Sequence, residues 1–504
     1  MTRRVPSTSR TALTERVLKN KATFEDLVAG LPSLESDDEI ISGVSKALEF
    51  QMCHSTCYYS SDAIEEALQK IARRHSVPLA TEYKKNSVLH VMSQYLSVGG
   101  HTRVVERWIA RAPRGEFHSV VVLSPPSSMP PRELAENVQS HNGEIFLFEP
   151  ASVVDKALRL RKLASSFERV VLHVNSEDIV PILAFGAEEF RRPIFLFNHA
   201  DHIFGLGVSI ADVFLDLRSG GAALSLNYRG VCNSHIVHIP CDDRASKDRA
   251  QTEENKVRIR GQLGLPLDRR IIVTAASAYK YRPFLEWNFV DYMERILAGD
   301  NKCEFIVIGP KSIRGKVRFR DRIHAIGLVD PNICMQYFGA ADLVVDSFPF
   351  MSFTSIQDAL SMGAPILSLK TIMPHLDWVL ASESYVSDME ELIRKTRHIL
   401  ENSVYAHRVF ESAMKCLQRE QQSDQWAEEV QAAYNSASHH SVHKFKSTPT
   451  KYPGVLDMFL ESKNLHIKSK FRFWRFNMIS YVEDGRKRHG VALLPKKCKI
   501  RELT

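Results

Sequence analysis

ADLVVDSFPFMSFTSIQDALSMGAPILSL, residues 341–369, is the stretch on which the fold turns. A buried strand ends at Asp346, a loop runs from Ser347 to Phe353, and a helix opens at Thr354. Thr354 and Gln357 stand at capping-box spacing, and Ser355 and Asp358 repeat it one residue on. Gly363 closes the helix and Pro365 leads into the next apolar strand. Strand, loop, helix and strand in this order make a unit of a parallel sheet. The first turn of such a helix has backbone N–H groups without intrahelical partners, at the positive end of the dipole. With the hydroxyls of Thr354 and Ser355 added, it is a seat for a diphosphate that needs no glycine-rich loop. Asp358, one turn further in, can accept hydrogen bonds from ribose hydroxyls. These residues alone leave a second reading open, in which Thr354 and Ser355 only cap the helix and Asp358 is solvated.

Working outward, the alternation of strand and helix extends in both directions. Upstream come the strands RIIVTAASA and KCEFIVIG, with the helices PFLEWNFVDYMERILAG and NICMQYFGAA. A polar, charge-dense stretch, CDDRASKDRAQTEENKVRIRGQLGLPLDRR, precedes them. Before it lies a second run of the same kind: SVLHVMSQYL, HSVVVLS, EIFLFE, RVVLHVN and PIFLFNHA alternate with helical segments such as HTRVVERWIARA and VVDKALRLRKLASSF. The expected fold class is α/β: two doubly wound parallel sheets, at residues 86–240 and 268–435, joined by a linker at 241–267. Residues 1–85 read as a helical N-terminal extension and 436–504 as a basic, aromatic tail. Ligands of open parallel sheets gather at the carboxyl ends of the strands, so two such sheets facing each other would suit an enzyme that joins two substrates.

Composition narrows the class. The chain has 504 residues, 44% hydrophobic and 25% charged, which is ordinary globular usage. It contains no apolar run long enough to span a membrane, and MTRRVPSTSRTALTERVLKN has no apolar stretch behind its basic residues, so neither a membrane helix nor a secretory signal is expected. Eight cysteines, mostly scattered singly, suit a reducing compartment, and the cytoplasm is the expected location. Cys53 and Cys57 lack a second ligand pair at zinc-site spacing and read as packed thiols. The net charge of +7 is concentrated after Lys463, where KSKFRFWRFN and GRKRHG mix Lys and Arg with Phe and Trp. The expectation is a tail that packs its aromatics on the body. Peripheral contact with an anionic membrane is the rival, and nucleic acid is not expected, since no nucleic-acid motif accompanies the charge.

The 341–369 pattern resembles the nucleotide-sugar site of GT-B glycosyltransferases, in Ala341-Asp342, Asp346, Phe348-Pro349, Thr354-Ser355, Asp358-Ala359-Leu360, Gly363 and Pro365. Within that fold it is most similar to the O-linked N-acetylglucosamine transferase-like family. LGLPLDRRIIVTAASAYKYRP resembles the start of the family's C-terminal domain, and SQYLSVGGHTRVVERWI its first strand–loop–helix. HAIGLVDPNICMQYFGAADLVV matches a structural run of the family. The resemblance covers neither terminal extension.

It implies two facing Rossmann-like domains and a hexosyltransferase-type activity with a nucleotide-sugar donor, UDP-linked. Thr354 and Ser355 would hold the diphosphate, Asp358 the ribose, and Lys280, with Ser277 beside it, the donor phosphates. Gly99, Gly100 and Thr102 would let substrate approach the backbone of the first domain. Where the family has glycines before its threonines, this chain has Met351-Ser352-Phe353, so Ser352 and Phe353 would line or narrow the sugar pocket. Retaining GT-B enzymes carry paired acids, and here the first position is Phe350, which favours inversion.

An inverting transfer needs a base for the acceptor and stabilisation of the departing diphosphate. His101, at a helix N-terminus, is one candidate base. The other is FNHADHIFGLG, where His199 follows a buried strand and Asp201, beside His202, could fix a histidine tautomer. No metal and no separate cofactor are expected, the sugar nucleotide being a co-substrate. The acceptor stays open among a protein side chain, a lipid-linked glycan and a small molecule. The alternatives are an epimerase or phosphorylase on the same fold, and a non-catalytic sugar-nucleotide-binding assembly protein.

Overall fold

The computed structural model describes residues 9–95, 100–126, 128–239, 253–313, 317–352, 354–370, 372, 382–421, 423–465 and 500–503. The chain divides into two compact units, one of Arg10–Pro240 with Ser423–Thr504, the other centred on Cys241–Gln422.

In the first unit the strands are β1 (Lys84–Met92), β2 (Phe117–Val122), β3 (Ile145–Phe148), β4 (Phe167–His173), β5 (Ile194–Asn198), β6 (Val213–Asp216) and β7 (Ser234–Ile236). The second holds β8 (Arg270–Ala275), β9 (Cys303–Ile308), β10 (Ile323–Gly327), β11 (Leu343–Val345), β12 (Ile366–Leu369) and β13 (Tyr385–Val386). A last strand, β14 (Ile500–Leu503), pairs in parallel with β3 of the first unit. The first sheet has eight strands in the order β14-β3-β2-β1-β4-β5-β6-β7, and the second has six in the order β10-β9-β8-β11-β12-β13. Among the described residues every strand pairing within these sheets is parallel, and in each sheet the order reverses beside the first strand, the arrangement of a doubly wound sheet. The α/β expectation holds. The short strands β6, β7, β10 and β13 are additions to the sequence reading.

The three N-terminal helices, Arg10–Ala29, Asp37–Cys53 and Asp62–Ala72, join the core of the first unit. Ser36 and Glu39 form a reciprocal capping box at the start of the second. Phe24, Ile40, Val44, Ile64 and Leu68 are buried in one cluster with Leu89, Val91 and Leu172 of the sheet. Glu65, fully buried, accepts the N–H groups of Gly207 (2.8 Å), Val208 (3.1 Å) and Ser209 (2.7 Å), tying the third helix to a loop far along the chain.

The other face of the sheet buries Val88, Trp108, Val171, Phe197 and Leu215 against Trp426, Val430 and Tyr434 of the helix Ser423–Asn435. Trp108 and Trp426 meet edge-to-face, centroids 5.4 Å apart. This helix, which the sequence groups with the second sheet, therefore packs on the first. The chain then runs along the first unit, with backbone bonds from His440 to Arg191, His443 to Ser209, Thr448 to Tyr228 and Thr450 to Cys57. In the helix Val455–Leu465, Glu461 accepts from Asn20 Nδ2 (2.9 Å) and from the Ser55 N–H (3.2 Å). Phe471, Arg472, Phe473, Trp474, Arg475 and Phe476 lie outside the described residues. Among those described, no helix is long and apolar enough to cross a membrane.

Candidate functional site

The second unit holds the residues assigned to the donor. Asp346 follows β11 and is 4% exposed. Its Oδ1 accepts from the Ser347 N–H (2.8 Å), the Ser352 N–H (3.0 Å) and the Ser352 hydroxyl (2.6 Å), while Oδ2 accepts from Ser368 of β12 (3.1 Å). One carboxylate thus ties both ends of the loop between β11 and the helix Thr354–Ser361. Burial pushes its pKa up to about 6 against these hydrogen bonds, with Lys280 also opposing the rise. The loop's apolar residues point inward: Phe348 is fully buried against Phe289, and Phe350 is 4% exposed. Phe350 is a wall rather than a polar group, and the Lys280 ammonium stands 5.1 Å from its ring centroid.

Lys280 lies in the short turn Ala278–Tyr281 that follows β8, and its Nζ donates to the Met351 carbonyl at 2.8 Å. Ser277, exposed, precedes that turn. The lysine and the loop ahead of Thr354 are therefore in contact. The helix begins at Thr354, which puts the capping position at Phe353, outside the described residues. Thr354, Ser355 and Asp358 are all half-buried. At the other end Gly363, with φ +84°, closes a Schellman turn: its N–H reaches Leu360, and that of Ala364 reaches Ala359. Gln357, buried at 1%, has both carboxamide atoms without a partner among the described residues. An unpaired buried amide costs about 1–3 kcal/mol, which makes Gln357 a candidate ligand-binding group. The sequence reading used it only as a cap.

The first unit holds the candidate bases. The helix Gly100–Arg111 starts at Gly100, and Gly99 lies outside the described residues. Thr102 is buried at 2%. His101 stacks on His199 with ring centroids 4.2 Å apart, so the two candidate histidines form one group. His199 sits just past β5, and its Nε2 is 3.1 Å from Nδ1 of His173 at the end of β4. Burial holds both His101 and His199 below the ordinary histidine range, His199 far below it. Both shifts favour the neutral ring, the state a proton acceptor needs.

Asp201 has another occupation. Its carboxylate meets Arg218 through Oδ2 to Nε (2.6 Å) and Oδ1 to Nη2 (2.9 Å), and His202 Nδ1 lies 3.3 Å away. Burial alone would raise its pKa, but Arg218 and His202 outweigh that and hold it well below the carboxylate range. Asp201 is thus held chiefly in an ion pair, with His202 beside it on the same carboxylate. Its backbone carbonyl is also taken, by Arg229 Nη2 at 2.9 Å. A Cβ on Gly221 would come within 2.6 Å of the Asp201 Oδ2, so that position needs glycine for the ion pair to form.

One acid escaped the sequence reading. Glu177, half-buried in the loop after β4, has its pKa pushed up to about 7 by burial, with Asp178 adding to the rise. The signal was there in HVNSED, two acids just beyond the carboxyl end of a buried strand.

No protein-family model and no curated protein sequence matches this chain. Solved structures do. HepE from Anabaena, crystallised in complex with UDP-glucose, is 13% identical with a TM-score of 0.54, over 69% of this chain and 100% of that one. A glycosyltransferase from Rickettsia africae is 11% identical with a TM-score of 0.54, over 71% of this chain and 99% of that one. The fold is that of the GT-B glycosyltransferases.

Proposed function

We propose that the chain is a glycosyltransferase that takes a sugar from a nucleotide-sugar donor, UDP-linked, and passes it to an acceptor hydroxyl with inversion and without a metal. The observation that carries this reading is the meeting of Lys280 with the Met351 carbonyl, immediately ahead of the helix that opens with Thr354 and Ser355. A fixed ammonium beside a helix N-terminus suits a diphosphate leaving group, whose charge grows as the glycosidic bond breaks. Asp358 and Gln357, one turn in, are the groups for the ribose and base. UDP-glucose in the crystal of HepE supports the choice of nucleotide. His199, with His101 stacked on it, is the base for the acceptor, and Glu177 is a further candidate for proton transfer. The kinship with O-linked N-acetylglucosamine transferases belongs to this proposal and rests on the 341–369 motif.

The test is thermal stabilisation by a panel of nucleotides and nucleotide sugars. A ligand present at 100 times its dissociation constant adds about 2.7 kcal/mol. UDP and at least one UDP-sugar are expected to raise the melting temperature, and the Lys280→Ala variant is expected to lose most of that rise. No stabilisation by any member of the panel would contradict the proposal.

A further inference from the structure

His199 is the end of a row. His118 Nδ1 lies 2.9 Å from His90 Nε2, His90 Nδ1 lies 3.1 Å from His173 Nε2, and His173 Nδ1 lies 3.1 Å from His199 Nε2. At the far end, His118 Nε2 lies 3.0 Å from Glu116 Oε2. The register explains the row. His118 of β2 pairs with Val88, and His90 stands two residues further along β1. His90 pairs with Val171, and His173 stands two residues further along β4. Leu172 pairs with Leu196, which puts His199 two residues beyond the position opposite His173. Each step crosses one strand and moves two residues toward its carboxyl end, so all four rings share one face. That face is otherwise apolar, with Trp108 packed edge-on against both His90 and His173. Aliphatic side chains would fill these positions without any polar demand. Four imidazoles in register, each satisfying the next, are a costly arrangement unless the connection itself is used.

Every link joins an Nδ1 to an Nε2 in the same sense. A carboxylate accepts and cannot donate, so Glu116 takes the Nε2–H of His118. His118 Nδ1 then accepts from His90, His90 from His173, and His173 from His199. The remaining atom, His199 Nδ1, keeps its lone pair, and among the described residues it has no hydrogen-bond partner. We infer that this row is a proton relay that fixes the tautomer of His199 and carries the proton taken from the acceptor hydroxyl to Glu116.

The inference rests on the transferase reading for the source of the proton. In the step, His199 Nδ1 gains the acceptor's proton as the oxygen forms its bond to the anomeric carbon and the diphosphate departs with its bonding pair. The Nε2 proton of His199 passes to His173 Nδ1, that of His173 to His90, that of His90 to His118, and that of His118 to Glu116. The result is a neutral carboxyl and four imidazoles in the opposite tautomer, with one proton in and one proton delivered. Burial keeps the interior rings uncharged, His173 being pushed down to about 3, so no imidazolium has to persist inside the sheet. Among the described residues, the other titratable groups that face the row are His101 on His199, His141 edge-on to His118, Arg169 near His118, and Tyr434 near Glu116. Glu116 itself is 18% exposed, open enough to return the proton to water.

The experiment uses the whole chain labelled with ¹⁵N-histidine, the resonances being assigned by single His→Asn variants. At neutral pH, His90, His118, His173 and His199 are all expected as Nε2–H tautomers. In Glu116→Gln the polarity loses its anchor, and His199 is expected as a mixture of tautomers. An Nδ1–H tautomer at any of the four in the wild type, or a His199 signal unmoved in Glu116→Gln, overturns the relay. In transfer assays, His90→Asn and Glu116→Gln are expected to lower kcat by about 10²-fold with the donor KM unchanged, and Glu116→Asp to recover part of it. A proton inventory in mixtures of H₂O and D₂O is expected to curve in the wild type and to be linear in His90→Asn. An unchanged kcat or identical inventories would count against the relay. A wild type that shows the four tautomers but transfers no sugar supports the row and overturns the transferase proposal instead.

Discussion

Asp201 grips Arg218 with both carboxylate oxygens, at 2.6 and 2.9 Å, and both side chains are almost fully buried. Removing one partner of such a pair strands a charge in a low-dielectric interior, at a cost of about 3–5 kcal/mol. Asp201→Ala is therefore expected to lose several kcal/mol in denaturant unfolding, with Arg218→Ala close behind. The double substitution is expected to cost much less than the sum of the two. Additive losses would show that the pair does not hold the loop after β5.

Ser352 is the corresponding fastener in the second unit, since its N–H and hydroxyl both go to Asp346. Ser352→Ala removes one hydrogen bond to a carboxylate and is expected to cost about 1.5–3 kcal/mol. It is also expected to weaken UDP binding, because the loop it closes carries the Met351 carbonyl that holds Lys280. Calorimetric titration of the variant with UDP checks this. Unaltered affinity would separate the loop from the donor site.

How much of this could be read from the sequence depends on the range of the interaction concerned. The strand–loop–helix at 341–369 was legible because its parts are neighbours in the chain: Asp346, Ser352, Thr354 and Gly363 act within eighteen residues, in a unit with strong local signals. β6, β7 and β13 were not, being two to four residues long, too short to show a period. Asp201 was matched to its histidine neighbours because spacing was all there was to go on. Its partner stands seventeen residues away, brought there by the course of the chain through β6. His90, His118 and His173 carried no signal at all, since only the pairing of three strands aligns them. The helix Ser423–Asn435 follows the second sheet in sequence, but Trp426 finds its apolar surface on the first.

The buried histidines also make stability depend on pH in a defined direction. His173 is pushed from an ordinary value of 6.5 down to about 3 by burial, so the unfolded chain takes up a proton there that the folded chain refuses. Stability from this group rises with pH up to the unfolded value and is lost as pH falls below it. Asp346 and Glu177, pushed up to about 6 and about 7, act in the opposite sense over the same interval, so the wild-type curve alone is not diagnostic. The difference between wild type and His173→Asn is. The melting-temperature advantage of the wild type is expected to be greatest above about pH 6.5 and to narrow steadily toward about pH 5. A gap that stays constant would contradict a neutral His173.

Two further expectations, on stereochemistry and on metal, rest on the proposed donor site. With the buried Phe350 where a retaining enzyme would place its first acid, the product is expected to have the anomeric configuration opposite to the donor's, as read by NMR coupling. With Lys280 and a helix N-terminus supplying positive charge, turnover is expected to survive EDTA. A retained configuration, or loss of turnover that manganese or magnesium restores, would contradict the corresponding half of this assignment.

The central claim is that Lys280 and the first turn of the helix Thr354–Ser361 seat the donor diphosphate. Calorimetric titration of UDP into wild type, Lys280→Ala and Asp358→Ala, each checked for an unaltered melting temperature, tests it most directly. Removing one charge-assisted contact is worth about 1.5–3 kcal/mol, so affinity is expected to fall roughly tenfold or more in Lys280→Ala, and measurably in Asp358→Ala. UDP binding equally tight in all three proteins would contradict the account.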